Sequence, residues 1–433
     1  MQSFITEQRN QLSVHVMPTR QYASRYIQLR IVNEHNSIPL AVFMLVVRLL
    51  LNQCQNPLDE GHSRRQLWTL YADEPGCNFE YKGDAQLASV RLRTPGNVLS
   101  RPEARTEDIL EMLSELMLRP ASNGGFDIDE AQVQEEIEWV ENHAGYDVSE
   151  WDKVVRGRCL EWLGYAERGR ASELEKLCHC VREDELLQWY REVLRCPIHI
   201  HVIGDFEPDL MIAHVLSAFQ IILDEAEGDM NDKRSPNVTQ DDPSAARREE
   251  GELMMELMDV QQCKINVAFT TGVNYGASNY PALFLFHSLF GATPASRLQS
   301  RLREQKQWVY QIYSTLDDYR GTLHVTTGTS SGYATEVIEA IDAEWLKLCN
   351  GDIRDRELHR AIQNVMHYVQ VGYDLPEQLI TLHIDRLLNR VQMTTPQFLD
   401  AIAAVTSEQV AEVASGLKKA VTWILYPKSE YSA

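Results

Sequence analysis

Two matched segments, 242 residues apart, constrain the fold of this chain more than any other feature of its sequence. In the first, the β-rich run YIQLRIV at 26–32 leads through a short polar segment to an apolar helix that starts at Pro39. In the second, KINVAFTTGV from Lys264 leads through NYGASNY to an apolar helix that starts at Pro281. Proline is well suited to the first turn of a helix, because its missing N–H has no partner there. The repeated order of strand, connector and buried helix indicates an internal duplication.

A polar segment from about 225 to 251, EAEGDMNDKRSPNVTQDDPSAARREEG, separates the two matched halves. It contains almost no large apolar residues and is rich in charge, Pro, Ser and Asn, a composition typical of linkers. The sequence therefore predicts a first domain over residues 1–228, a linker over 229–250 and a second domain over 251–433.

Strand-like and helix-like segments alternate irregularly within each half. Strands are predicted for ASVRLR at 88–93, IHIHVI at 198–203, and around 310–313 and 322–327. Helical spacing of apolar residues appears at 107–118, 133–140, 173–194, 209–223, 334–348 and 407–417. Clustered strands without regular β-α alternation favour an α+β fold. We expect two homologous domains, each a largely antiparallel sheet with helices packed on one face.

Charge and hydropathy exclude several classes of function. The 433 residues include 41 Lys and Arg against 63 Asp and Glu, a formal net charge of −22, so nucleic acid and anionic membranes are not expected partners. The apolar run from Ile38 to Leu51 is too short to span a bilayer. The first residues, MQSFITEQRNQLSV, lack the basic and apolar regions of a secretory signal, so we expect a cytoplasmic protein.

No local metal-binding motif is present. None of the 13 histidines lies four residues from another, as the zinc motifs H-E-x-x-H and H-x-x-E-H require. Cys178 and Cys180 lie in a segment predicted to be helical, where residues two apart point in different directions. His199 and His201 share one face of a predicted strand, but no third ligand lies near them in sequence. We therefore expect this chain to bind no metal and no cofactor of its own.

One motif favours an enzyme of a different kind. GTSSG at 328–332 fits the G-x-S-x-G pattern of serine hydrolases and lies between a predicted strand and a predicted helix. Ser330 would be the nucleophile, followed in the chain by Asp352 or Asp355 and by His359, His367 or His383. Against this reading, Gly/Ser/Thr turns are common before helices, and the irregular strand order lacks the parallel repeat of a hydrolase sheet.

The segment GATPASRLQSRLREQKQWVYQIYS, from Gly291, is the most informative in the chain. It contains an arginine-rich predicted helix, with Arg297, Arg301 and Arg303, followed by a strand that bears Tyr310. The segment resembles the G-x-x-x-S-R-L-x-x-x-[LV]-R-E helix and following tyrosine of the pitrilysin/insulinase family of zinc metallopeptidases. Other segments resemble that family in the same order along the chain, at 126–140, 198–211 and 402–414. The resemblance implies the duplicated α+β fold.

One departure from the family decides the expected function. Active members carry H-x-x-E-H on the first buried helix, but residues 38–53 of this chain contain no His, Asp or Glu. Glu141 lies in a helix that resembles the one bearing the family's third zinc ligand, and it would have no other ligands beside it. The resemblance therefore implies a non-catalytic sister subunit of a heterodimer, whose H-x-x-E-H paralogue supplies zinc. By the same resemblance, Arg303 and Tyr310 would hold the backbone of the peptide substrate.

The resemblance leaves two further questions open. A ribosomally made precursor is one candidate for the peptide substrate. The alternative from another class is a structural or assembly subunit with no role in peptide cleavage, like the family members built into respiratory complexes. The sequence does not distinguish these readings, and an internally duplicated chain can also pair with itself.

Overall fold

The computed structural model describes residues 3–34, 37–52, 76–83, 85–95, 109–111, 113–115, 117, 130–144, 151–165, 183–220 and 250–431. The chain forms two compact units. Unit 1 comprises Met1–Gly145 and Arg168–Gln240, and unit 2 comprises Tyr146–Glu167 and Asp241–Ala433. The segment Tyr146–Glu167 falls within the predicted first domain, residues 1–228, yet it packs with the second half of the chain.

Unit 1 is built on a six-stranded sheet. Its strands are β1 (Ile5–Arg9), β2 (Leu12–Pro18), β3 (Ser24–Asn33), β4 (Gly76–Lys82), β5 (Ala85–Pro95) and β6 (Ile198–Gly204). They lie in the order β1-β2-β6-β3-β5-β4, in which β2 and β6 are parallel and the other neighbours are antiparallel. The helices described in this unit include α1 (Leu40–Asn52), α2 (Glu130–Ala144), α4 (Glu183–Arg195) and α5 (Pro208–Ala218).

The two faces of this sheet differ in polarity. Because side chains alternate along a strand, Ile27, Leu29 and Ile31 of β3 point into the apolar core, which includes nearly all of α1. Gln28 and Arg30 point to the other face, where they are buried beside polar residues of β2 and β6. Among the described helices, none combines the length and the apolar character needed to cross a membrane.

Unit 2 is built on a five-stranded sheet. Its strands are β7 (Glu252–Met258), β8 (Cys263–Thr270), β9 (Val309–Asp317), β10 (Thr322–Thr329) and β11 (Lys418–Pro427). They lie in the order β7-β11-β8-β10-β9, with β7 and β11 parallel and the other neighbours antiparallel. The core on one face is formed by alternate residues of β8, from Cys263 to Phe269, and by the helices.

The helical layer of unit 2 follows the strands in several segments. Its helices are α6 (Tyr280–His287), α7 (Ala334–Cys349), α8 (Asp355–Gly372), α9 (Pro376–Leu388), α10 (Thr395–Ala403), α11 (Ser407–Gly416) and the short α12 (Lys428–Tyr431). Two π-helical turns, π1 (Ser288–Ala292) and π2 (Gln299–Gln305), lie between α6 and β9. Thr394 and Thr406 each begin a helix with a capping box, in which threonine and glutamine bond each other's backbone.

The two sheets share one topology. The strands β2, β3, β4, β5 and β6 of unit 1 correspond in chain order, pairing and direction to β7, β8, β9, β10 and β11 of unit 2. In each unit the first and last of these strands form the parallel pair, and the apolar helix follows the second strand. This confirms the predicted fold of two repeated α+β units, with β1 as an additional edge strand in unit 1.

A helix from the first half of the chain lies on the opposite face of the second sheet. This helix, α3 (Trp151–Trp162), belongs to unit 2 and contacts β8, β10 and β11. Cys159 packs against Ala268 and Val421, and Arg158 forms an ion pair of 3.0 Å with Glu256 of β7. The sequence predicted helices on one face, and in the part of the chain that the structure describes α3 lies on the other.

Candidate functional site

The helix expected to carry a zinc motif carries an ion pair in its place. Arg48 of α1 binds Glu136 of α2 with both ends of its guanidinium, and the Nη2 to Oε1 distance is 3.0 Å. The guanidinium carbon also lies 4.0 Å from the centre of the Trp139 ring. Such a forked contact, stacked on an aromatic ring, is the geometry that arginine favours.

This part of unit 1 does not fit a zinc ion. Zinc sites need histidine, thiolate or carboxylate ligands, and the described residues of α1 offer none of these. Glu136, on the facing helix, is occupied by Arg48. The charges of Arg48 and Glu136 both act on the thiol of Cys77. Burial raises the pKa of this thiol to about 12, so it stays protonated. Among the described residues, α1 therefore supplies no ligand on which the zinc chemistry of an active member could be built.

The predicted substrate-binding residues lie together at the surface of unit 2. The guanidinium carbon of Arg303 is 5.9 Å from the centre of the Tyr310 ring. Both side chains are exposed, and Tyr310 has 85% of its surface open to solvent. An arginine near the face of a tyrosine is a cation–π arrangement. Both groups can donate to a bound peptide, because the guanidinium has five N–H groups and the phenol has one O–H.

The backbone around this pair is held by buried neighbours. Leu302 of π2 is fully buried, and Val309 at the start of β9 is nearly so. The amide of Trp308 donates to the carbonyl of Leu302 at 3.1 Å, which closes the turn between the two elements. The residues on either side of these anchors point outward, so Arg303 and Tyr310 are presented from a packed base.

The three arginines of the motif have separate roles in the structure. Arg297 is held inside unit 2, where it bonds both carboxylate oxygens of Glu357 at 2.7 and 2.9 Å and the carbonyl of Asp352. Arg301 donates to Gln305 one turn further on, and only Arg303 approaches Tyr310. The sequence grouped these arginines as one cluster because it does not show which face of the helix each occupies.

The glycine of the same motif is explained by a close approach. A Cβ atom at Gly291 of π1 would lie 2.6 Å from Oγ and 2.9 Å from Cβ of Ser314 on β9. Real side chains do not approach this closely, so a larger residue would push π1 away from the strand. The glycine thus sets the spacing between the helical segment and β9, the strand that bears Tyr310.

The geometry around Ser330 does not form a catalytic triad. Ser330 lies between β10 and a short 3-10 turn, Ser331–Tyr333. Among the described residues, its hydroxyl bonds neither a histidine nor an aspartate. Strand β10 is antiparallel to both of its neighbours, whereas a nucleophile elbow follows a strand of a largely parallel sheet. The G-x-S-x-G match is therefore a turn that begins a helix.

The cysteine and histidine candidates group differently in the structure than they do along the sequence. Cys178 and Cys180 lie outside the described residues. His199 and His201 lie on β6, and the parallel register brings His15 of β2 opposite His201. The Nε2 atom of His15 is 3.1 Å from Nδ1 of His199, and its ring stacks on both other imidazoles. Sequence reasoning missed His15 because it pairs with residues more than 180 positions away.

Comparison with known proteins agrees with this fold and with the missing motif. Residues 183–365 match the family described as "Peptidase M16 inactive domain". A Bacillus subtilis protein described as "Probable inactive metalloprotease YmfF" is 20% identical over 441 residues, covering 98% of each chain.

Two solved structures show the same architecture. A conserved protein from Enterococcus faecalis superposes with a TM-score of 0.80 at 19% identity, covering 99% of each chain. A peptidase M16 inactive domain from Pseudomonas fluorescens superposes with a TM-score of 0.70 at 14% identity, covering 98% of each chain. These comparisons support the resemblance seen in the sequence, to an inactive, non-catalytic member of the pitrilysin/insulinase type.

Proposed function

We propose that this chain is the non-catalytic subunit of a heterodimeric zinc endopeptidase and pairs with an H-x-x-E-H paralogue around a peptide substrate. The observation that carries the proposal is the exposed pair of Arg303 and Tyr310 in a chain whose own α1 has no zinc ligand. Two exposed hydrogen-bond donors on a non-catalytic subunit are suited to holding a substrate.

In this proposal the two side chains bind the carbonyl groups of the peptide. The phenol of Tyr310 and the guanidinium of Arg303 donate to a carbonyl oxygen, and these bonds strengthen as negative charge develops on it. Tyr310 lies on β9, the last strand in the order of the described sheet, so an extended peptide can pair beside it. The zinc-bound water comes from the partner subunit.

The test is a peptidase assay of the assembled complex. The chain is co-expressed with an H-x-x-E-H homologue from the same genome, and the complex is checked by light scattering and zinc content. Tyr310→Phe removes one donor and keeps the ring, so we expect kcat to fall by about 10²-fold. Arg303→Ala should lower kcat/KM by a similar factor, with a rise in KM because ground-state binding is also lost.

Matched controls separate this effect from general damage. Tyr368→Phe changes another exposed tyrosine of unit 2, and Arg390→Ala changes another exposed arginine. Both should leave kcat/KM unchanged. If Arg303→Ala and Tyr310→Phe also leave cleavage unchanged in an intact complex, the chain is instead a structural or assembly subunit. If the purified chain alone holds zinc and cleaves peptides, the whole proposal fails.

In this proposal the complex acts in the cytoplasm, and a ribosomally made precursor is one candidate substrate. Net charge gives only weak guidance here, because a charge of −22 acts first on solubility and only then on the choice of peptide. Incubating the complex with a peptide library and sequencing the products would define the cleavage site directly.

A further inference from the structure

A basic cavity lies in unit 2, separate from the Arg303–Tyr310 pair. It has a volume of about 500 Å³ and lies between the segment that contains π1 and π2 on one side and α7 and α8 on the other. Its walls include Arg301 of π2, Arg354 just before α8, and Arg356 and Arg360 on α8. The cavity is large enough for a small molecule and opens to solvent.

The charge of this cavity is opposite to that of the chain as a whole. Six cationic side chains and three carboxylates line it, whereas the whole chain has a formal charge of −22. Two of the carboxylates are already engaged, Glu357 by Arg297 and Glu344 by Lys347. Among the described residues, Arg354, Arg356 and Arg360 form no ion pair within 4 Å. Three guanidinium groups thus line one cavity without a carboxylate in ion-pair contact, an arrangement that favours a multivalent anion.

Two buried hydroxyl groups lie on the wall of the same cavity. Ser288 is 5% exposed and Ser296 is 1% exposed, and both line the space. Neither Oγ atom has a hydrogen-bond partner among the described residues. A buried hydroxyl without a partner is destabilising, because it has lost water and gained no other hydrogen bond. A ligand oxygen that reaches either hydroxyl would satisfy a buried donor.

A second cavity of about 420 Å³ shares Ser288, Thr293 and Asn364 with the first. It is lined more by apolar and aromatic groups, among them Phe284, Leu316 and Tyr368. The two spaces together offer a basic compartment for an anionic group beside an apolar compartment for an organic group.

We propose that the basic cavity binds the phosphoryl group of a small organic phosphate, through Arg354, Arg356 and Arg360 and the hydroxyls of Ser288 and Ser296. The guanidinium fork matches two oxygens of a phosphoryl group, and the remaining oxygen is available to the serines. Phosphate fits better than a carboxylate, since it has three terminal oxygens and up to two charges for a site with an excess of cations. The inference is independent of the proposed peptidase role, because it uses neither Arg303 nor Tyr310.

Titration calorimetry of the full chain with phenyl phosphate, pyrophosphate and inorganic phosphate tests this inference, at constant ionic strength in sodium chloride. We expect saturable binding with one site per chain. Arg356→Gln with Arg360→Gln should weaken binding of phenyl phosphate and pyrophosphate by about tenfold or more, since each change removes a charged hydrogen bond. Ser296→Ala should weaken binding several-fold without changing the net charge.

The matched control is Arg191→Gln with Arg390→Gln, which changes the net charge equally at two exposed arginines outside the cavity. It should leave the affinity unchanged. Equal weakening in the control would show only nonspecific charge attraction and would overturn the proposal, as would no saturable binding of any of the three probes. Tighter binding of phenyl phosphate than of inorganic phosphate would support an organic ligand. Equal or weaker binding of phenyl phosphate would overturn that part of the proposal and leave an inorganic phosphate site. Thermal unfolding without ligand confirms that each variant is folded.

Discussion

Arg48 and Glu136 form a structural contact on the helix where the family resemblance places the zinc motif. The side chains are 23% and 9% exposed, so both charges have lost most of their water. A charge in such a place needs a partner, and each of these residues is the partner of the other. The pair holds α1 against α2 by a direct bond.

The first prediction concerns this ion pair. Glu136→Leu leaves the Arg48 guanidinium without its carboxylate, so the free energy of unfolding should fall by about 3 kcal/mol. Adding Arg48→Met removes the unpaired charge and should recover most of that loss. Urea unfolding of the three variants gives the values. A Glu136→Leu variant as stable as the wild type would show that Trp139 and solvent alone support Arg48.

The second prediction concerns the stacked histidines of unit 1. Burial, together with the smaller effect of the nearby Arg30 charge, lowers the pKa of His199 to about 4. Charged and titratable groups around it are Arg30 on β3, His15 on β2 and His201 on its own strand. Between pH 6.5 and pH 4 the unfolded chain binds a proton at this position and the native chain does not. Stability is therefore retained above pH 6.5 and falls as the pH is lowered toward 4.

The size of this effect is up to about 3 kcal/mol, from the difference between the ordinary and the lowered pKa. His199→Gln removes the titrating ring, so the loss of stability between pH 6.5 and 4.5 should become smaller. Urea midpoints across that range measure it. The same pH dependence in wild type and variant would mean that His199 does not contribute. Buried His324 of unit 2, whose pKa burial lowers well below its ordinary value, adds a second contribution of the same sign.

At the level of single residues, the sequence predicted features that depend on neighbouring residues. It missed contacts between residues that are far apart in the chain. The absence of zinc ligands on α1 is visible in 13 consecutive residues. The partner of Arg48 lies 88 positions away, and the neighbour of His199 lies 184 positions away. Such contacts depend on how strands and helices are arranged, and single-sequence patterns do not contain that information.

The π-helical turns are the element that organises the candidate site. In a π-helical turn, each backbone bond spans one more residue than in an α-helix, so the side chains that follow are rotated around the axis. Arg301 lies beside the basic cavity while Arg303 approaches Tyr310, because residues two apart on a helix point in different directions. The sequence predicted a helix followed by a strand here, but an apolar period of three and four does not reveal the extra residue.

The third prediction concerns the contact between π1 and β9. Gly291→Ala places a methyl group within 3 Å of Ser314, so π1 or β9 has to shift and the free energy of unfolding should fall by about 1–3 kcal/mol. Gly332→Ala is the matched control, because nothing lies within 4 Å of the added carbon. Differential scanning calorimetry compares the two. A Gly291→Ala variant with the melting temperature of the wild type would contradict the close approach.

At the scale of the whole molecule, the duplication was the part of the fold most accessible to sequence. The two prolines and the apolar helices that follow them are local signals, and they appear at matching places in both units. The parallel pairs β2 with β6 and β7 with β11 were not predicted, because the paired residues are more than 150 positions apart. The placement of α3 in unit 2 was missed for the same reason.

The fourth prediction follows from that placement. Two fragments, residues 1–240 and 241–433, should co-purify when expressed together, because α3 of the first covers part of the sheet formed by the second. Val155→Asp with Cys159→Asp puts two charges on the buried face of α3 and should abolish the association. Affinity capture through a tag on one fragment measures it. Two folded fragments that elute separately would contradict the shared unit.

The position of α3 also affects how the protein is completed during synthesis. The thiol of Cys159 on α3 bonds the carbonyl of Asn266 on β8, across 107 positions of the chain. At ordinary rates of translation, α3 is made about 5–20 s before the strand on which it packs. During that time the apolar face of α3 has no sheet to cover it, and unit 2 cannot finish folding. Changes in translation rate or in chaperone supply should therefore alter the yield of folded unit 2, because α3 is encoded in the first half of the gene.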